Sequence, residues 1–325
     1  MKKFRIKVLK QVSWILFLVF ITSCGKSEIP VEKKPVTPPI EVPDPDLGNY
    51  TSLTKKLVET KTLISTVITD VTFVVTPGVE ETDIRYANKE GKAMQLFILK
   101  IDLNNPNLSM EVGTPFNKPE FSKQTVLNMA KGVDAAGHKI VAGINGDFYN
   151  TTTLIPVGIL HKNSQVIKNT FSDNTSVPQQ GLSFFAILND GKPYIGYKSD
   201  YSTISPQIKQ ATGGGIVFLK DGKVITQSIL NIDPRTAIGY TADGFVYIIV
   251  ADGRNPAYSN GLTYAEMSTM MKAFDVKDAL NLDGGGSSTF MIRNPASTSM
   301  EVRNSPSDGT QREVSNAWLV VSKSL

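Results

Sequence analysis

A succession of short β-branched and aromatic runs, punctuated by Asp-Gly pairs, constrains this fold more than any other feature. The runs are Val71 to Val75, Met94 to Leu99, Ile140 to Ile144, Phe184 to Leu188, Ile216 to Phe218, Val246 to Val250 and Trp318 to Val321, and such alternating or continuous apolar stretches mark strands. Asp190-Gly191, Asp221-Gly222 and Asp243-Gly244 fall between them. Asp-Gly favours tight hairpins because both positions tolerate positive φ. Two stretches, Lys123 to Ala136 and Thr263 to Phe274, carry apolar stripes at spacings of three and four and read as helices. Ser122 and Thr263 are placed to cap them, and Thr263 with Glu266 has capping-box spacing. Many hairpins and few helices predict an α+β fold: mainly antiparallel β-sheet with a few flanking helices, in a single large domain.

The beginning of the chain follows different rules. A positive stretch to Lys10, an apolar stretch from Val12 to Ile21, and small Thr22 and Ser23 before Cys24 have the order of a secretory signal. The apolar stretch is shorter than the roughly 20 residues a spanning helix needs. Ile21-Thr22-Ser23-Cys24 resembles a lipobox, in which the cysteine becomes the acylated first residue; Cys24 is the only cysteine, so no internal disulfide forms. Gly25 after it, in place of Asp, favours the outer membrane. The expected partner is therefore a membrane, reached through a lipid anchor at Cys24, and the expected location is the cell envelope. Six prolines between Pro30 and Pro45, with no amphipathic period, make a semi-extended tether. The expected organisation is a lipoprotein signal peptide over 1–24, a tether over 25–49 and a folded domain over 50–325.

The formal charge of +4 belongs to the leader: without its first 24 residues the chain holds 29 basic against 30 acidic residues. No basic run interleaved with aromatics is present, which excludes nucleic acid as a partner.

Three clusters carry candidate chemistry. Asn281-Leu282-Asp283-Gly284-Gly285-Gly286-Ser287 places a carboxylate beside three residues without Cβ, whose N–H groups can line a concavity suited to anions. Asp283 is the first candidate acid or base, Gly284, Gly285, Gly286 and Ser287 candidate substrate-binding groups; a plain turn capped by Asp283 is the alternative. The second cluster is Asp233-Pro234-Arg235, joined after one hairpin by Asp252-Gly253-Arg254. Arg235 and Arg254 would converge at one end of the sheet, where planar guanidiniums suit phosphate; solvated strand-end charges are the alternative. In the third, Asn145-Gly146-Asp147 ends a strong apolar strand and offers an amide and a carboxylate, against the alternative of an Asn-Gly hairpin turn. His138 and His161 have no partner at metal-ligand spacing, so no metal site is expected. No cofactor is expected, and no twelve-residue calcium loop is present, although a calcium ion at the Asp-rich turns stays open.

Together these segments resemble the phosphodiester glycosidase family. Asn145-Gly146-Asp147-Phe148-Tyr149, Pro156-Val157-Gly158, Arg235 to Gly239, Asp243-Gly244 with Asp252-Gly253, Gly261 to Glu266, Asn281 to Ser287 and Arg312-Glu313-Val314-Ser315 match its pattern in order. The resemblance runs from about Val71 to Val321. It implies a hydrolase acting on an N-acetylglucosamine-1-phosphodiester-like substrate, with Asp283 and Arg235 as catalytic residues, Asp252 and Asp147 as further catalytic candidates, and Asn145, Arg254 and Arg312 as substrate-binding residues. The alternative function is a non-catalytic envelope lipoprotein that binds phosphorylated glycans, or a factor in exopolysaccharide metabolism.

Overall fold

A computed structural model describes residues 47–172 and 182–324. The leader, Cys24 and nearly all of the tether lie outside the described residues. In chain order the elements begin with helix α1 (Ser52–Glu59) and strands β1 (Ile64–Thr76), β2 (Val79–Asn88), β3 (Ala93–Asp102) and β4 (Leu108–Gly113). Helix α2 (Val126–Val133) precedes β5 (Lys139–Asn145), β6 (Leu160–Lys162), β7 (Gln165–Lys168), β8 (Ser183–Leu188) and β9 (Pro193–Tyr197). After helix α3 (Lys198–Ile204) come β10 (Ile208–Gly214), β11 (Val217–Lys220), β12 (Lys223–Val224), β13 (Arg235–Tyr240) and β14 (Phe245–Ala251). The chain closes with helix α4 (Tyr264–Ala273) and β15 (Asp278–Asn281), β16 (Phe290–Arg293), β17 (Met300–Val302) and β18 (Ala317–Ser322).

The strands form one eight-stranded sheet, ordered β1-β2-β3-β14-β13-β15-β11-β12, and two five-stranded sheets, β7-β6-β10-β8-β9 and β17-β16-β5-β18-β4. The pairings along all three are antiparallel, so the domain is α+β and mainly antiparallel, as the hairpin signals predict. Strand β14 explains why its sequence is continuously apolar: Val246, Ile248 and Val250 join one core, while Tyr247, Ile249 and Ala251 join a second on the opposite face. The first core packs the large sheet against β5, β18, β8 and β16 through Phe97, Ile144, Phe185, Phe290 and Trp318. Helices α1 and α4 cover the other face with Leu57, Met267, Met270 and Met271. Among the described residues no helix is long and apolar enough to cross a membrane.

The three Asp-Gly pairs all turn hairpins, joining β8 to β9, β11 to β12 and β13 to β14. Both positions are left-handed only at Asp221 (φ 48) and Gly222 (φ 70); at the other two pairs only the glycine is. Thr263 caps α4 with the expected box, its side chain accepting from Glu266 N–H. The first helix expectation is corrected: α2 starts at Val126, capped by Thr125, whose hydroxyl accepts from Asn128 N–H. Gln124 exchanges backbone bonds with Val314, which holds the chain extended past Ser122.

Candidate active site

The register of β13 brings the candidate segments to one sheet edge. Arg235 opposes Ala251 on β14, and Ala237 opposes Asn281 on β15. Residues 234–235, 252–254 and 282–286 therefore leave the sheet at the same end. Asn145 ties this end to the neighbouring sheet: its Nδ2 donates to Asp283 O at 2.6 Å, and its Oδ1 accepts from Thr236 Oγ1 at 2.8 Å and Thr289 N–H at 3.1 Å. Asp283 N–H completes the junction with Gly146 O at 3.0 Å.

A cleft of about 310 Å³ opens there, lined by Phe148, Asp233, Arg235, Arg254, Asp283, Gly284, Gly285, Gly286 and Arg312. Asp283, the glycine run and the three arginines thus face a single hollow. Its lining carries three guanidiniums against two carboxylates, one positive charge in excess.

Each glycine has its own steric reason. A Cβ on Gly284 would lie 2.7 Å from Pro234 O, and Gly285, at φ +61, would press one to 3.0 Å from the Arg254 guanidinium. On Gly286 it would meet Arg312 Nη2 at 2.1 Å. The expected nest of three inward N–H groups is corrected: Gly284 N–H donates to Asp283 Oδ1 and Gly285 N–H to Pro234 O. Of the three, only Gly286 keeps an N–H with no acceptor among the described residues. The glycines mainly let guanidiniums lie against the backbone.

The arginines differ in freedom. Arg235 is 4% exposed. Its Nε donates to Leu262 O (3.2 Å), Nη1 to Tyr264 OH (3.0 Å) and Nη2 to Asn231 O (2.7 Å), with the guanidinium 4.3 Å from the Tyr264 ring centre. It is a fixed positive wall and not a mobile clamp. Arg254 is half-exposed and pairs with Asp233 Oδ1 at 3.0 Å; Arg312 pairs with Asp308 Oδ2 at 2.7 Å.

Asp283 is half-buried at the cleft. Burial pushes its carboxyl up to about 6, while the Ser287 hydroxyl, the Gly284 N–H and the Arg312 charge pull it back. The group is poised to exchange a proton near neutrality.

Four other site expectations fall behind the cleft wall. Asn145 is fully buried, and its amide staples two sheets. Ser287, also fully buried, bridges the Arg312 Nη1 to the Asp283 carboxylate. Asp147 is 1% exposed; one oxygen accepts from Gly158 N–H at 2.7 Å and the other has no partner. Burial first, then the Asp283 charge, raises it to about 7. Asp252 is 2% exposed and accepts from Asn304 Nδ2 (3.0 Å) and Ser305 N–H (2.8 Å), which makes it an anchor for residues 304–305. Two lining residues were missed. Asp233 opens the cluster read for its arginine, and Phe148 lies inside the Asn145 motif. Among the described residues no group of three or more His, Cys, Asp or Glu is gathered to hold a metal ion.

Residues 138–321 match the family model described as phosphodiester glycosidase. The mouse N-acetylglucosamine-1-phosphodiester alpha-N-acetylglucosaminidase is 26% identical over 171 residues, 46% of this chain and 31% of that protein. The human protein of that name is 26% identical over 206 residues, covering 56% and 37%. The chain thus spans about a third of the length of these curated relatives, 31% and 37%. The zebrafish catalytic domain of the same name, solved auto-inhibited by its pro-peptide, has a similar fold, with a TM-score of 0.59 and 20% identity over 78% of this chain and 88% of that one. With more than half of its length matched by the family model and its motifs converging on one cleft, the chain belongs to the phosphodiester glycosidase family.

Proposed function

We propose that this chain is a hydrolase that cleaves the bond between the anomeric carbon of a sugar and a phosphodiester oxygen, on an N-acetylglucosamine-1-phosphodiester-like substrate. The observation that carries this reading is a half-buried carboxylate, Asp283, in a hollow with one guanidinium charge in excess. A phosphodiester carries one negative charge, which that excess matches.

In the proposed reaction water oxygen bonds to the anomeric carbon while the carbon–oxygen bond to phosphate breaks, its electron pair leaving with the phosphate. Arg254 and Arg312 offset the charge on the departing group, and the immobile Arg235 holds a positive potential without reorganising. The oxocarbenium-like sugar gains from the Asp283 carboxylate, and the proton released by water reaches the phosphate through that same group. No cofactor is required.

The test is release of free sugar and a phosphomonoester from a synthetic α-N-acetylglucosaminyl phosphodiester by the purified chain. Binding without product removes the hydrolase reading and favours a glycan-binding protein. Envelope location and a lipid anchor at Cys24 belong to the same proposal, motivated by the order of residues 1–24. Cys24→Ser is expected to move the protein from the membrane to the soluble fraction; retention with membranes would refute the anchor.

A further inference from the structure

The positive excess of the cleft is answered from within the chain. Asp308 accepts from Arg312 Nε at 2.8 Å and lies 2.7 Å from its Nη2. Its carboxylate also lies over Gly286, where a Cβ would stand 2.2 and 2.3 Å from its two oxygens. Gly286 is the glycine whose N–H has no acceptor among the described residues. A singly charged anion therefore rests where a guanidinium and bare backbone meet at the cleft.

The segment that carries Asp308 is fastened at both feet. Asn304 Nδ2 donates to Asp252 Oδ1 and to Ser288 O, both at 3.0 Å, and Asn304 Oδ1 accepts from Phe290 N–H at 2.7 Å. Ser305 N–H adds a bond to Asp252 Oδ2 at 2.8 Å. At the other foot Val314 exchanges backbone bonds with Gln124 at 2.9 and 3.1 Å. Between the feet, Ser307 Oγ and Gln311 Oε1 are buried without partners. Burying an unpaired polar atom is unfavourable, and one such atom adjoins Asp308 and the other adjoins Arg312 along the segment. Both members of that pair are more than a third exposed, which keeps it weak and exchangeable.

We propose that Asp308 is an internal stand-in for the ligand's anionic group. It fills the anion subsite made by Arg312 and Gly286, and an incoming phosphodiester oxygen replaces it as residues 306–311 swing away between the fixed feet, Arg312 staying in place. The identity of the ligand rests on the function proposed above; the subsite itself rests on this geometry.

The full chain, titrated calorimetrically with inorganic phosphate, tests the idea. Asp308→Asn keeps the shape and removes the competing charge, and is expected to tighten phosphate binding about two- to fivefold, the competition an exposed pair offers. Adding Arg312→Ala should abolish the gain. Backbone amides of 306–311 should exchange faster in Asp308→Asn at an unchanged melting temperature. Unchanged or weaker phosphate binding, or unchanged exchange, would overturn the proposal. Tighter phosphate binding in a chain that releases no sugar would leave the subsite standing and remove only the hydrolase reading.

Discussion

Asp252-Gly253 and Asp283-Gly284 are the same dipeptide, leaving one sheet on either side of β13, and burial raises both carboxyls to about 6. They differ in what surrounds them. Asp252 is closed off, each oxygen taking a donor from the foot of the strap. Asp283 faces the cleft, its near partners being its own Gly284 N–H and Ser287. A raised carboxyl is therefore no mark of a reacting group by itself: burial shifts both, and only open access separates the group that can meet a substrate from the one that fastens a loop.

The sharpest way to break this contrast is turnover. Asp283→Asn is expected to lower kcat by about 10² to 10³, as loss of one preorganised charged group does, with a melting temperature near wild type. An equal loss from Asp252→Asn, also without destabilisation, would erase the distinction. Next in size is stability. Asp252→Ala strands Ser305 N–H and leaves Asn304 Nδ2 only its bond to Ser288 O, and denaturant unfolding should register on the order of 1–3 kcal/mol for the orphaned backbone donor. The arginines sharpen the same division. Arg235→Ala, which frees Leu262 O, Asn231 O and the Tyr264 hydroxyl, should destabilise the fold, whereas Arg312→Ala should leave the melting temperature alone and weaken diester binding by roughly tenfold, seen as a rise in KM.

The smallest effect concerns pH. Asp147 and Glu81 are raised to about 7, Asp252 and Asp283 to about 6, burial leading in each case. A carboxyl raised in the native chain keeps a proton that the unfolded chain has already given up. Between the ordinary carboxylate range and about pH 7 the native state thus binds more protons, and stability falls as pH rises through that window. Thermal unfolding from pH 5 to 8 should show that decline, and Asp147→Asn should flatten it. An undiminished slope in that variant would mean that Asp147 does not titrate there.

Much of this was legible beforehand because it depends on near neighbours. Asp221-Gly222 turns a hairpin through its own φ preferences, Thr263 with Glu266 caps a helix within one turn, and Val246 to Val250 is apolar throughout because both faces of β14 are covered. The convergence of Arg235 and Arg254 follows from the hairpin between them, whereas Asp283 joins them only through the pairing of β15 with β13. What stayed illegible depends on partners far along the chain. Nothing local to Asn145 tells that its amide bonds a carbonyl 138 residues away.

The sequence alone determined the strand pattern, the turns, the motif order and the small set of charged residues from which a site had to be drawn, since local propensity and composition are properties of short segments. Only the tertiary structure decided their employment: Asp283 open, Asp252 and Asn145 fastening loops, Arg235 immobilised on Tyr264, Asp308 against Arg312 over Gly286. Two identical carboxylates or guanidiniums differ in chemistry through burial and the donors within about 3 Å of them, and those neighbours are set by how distant strands pack.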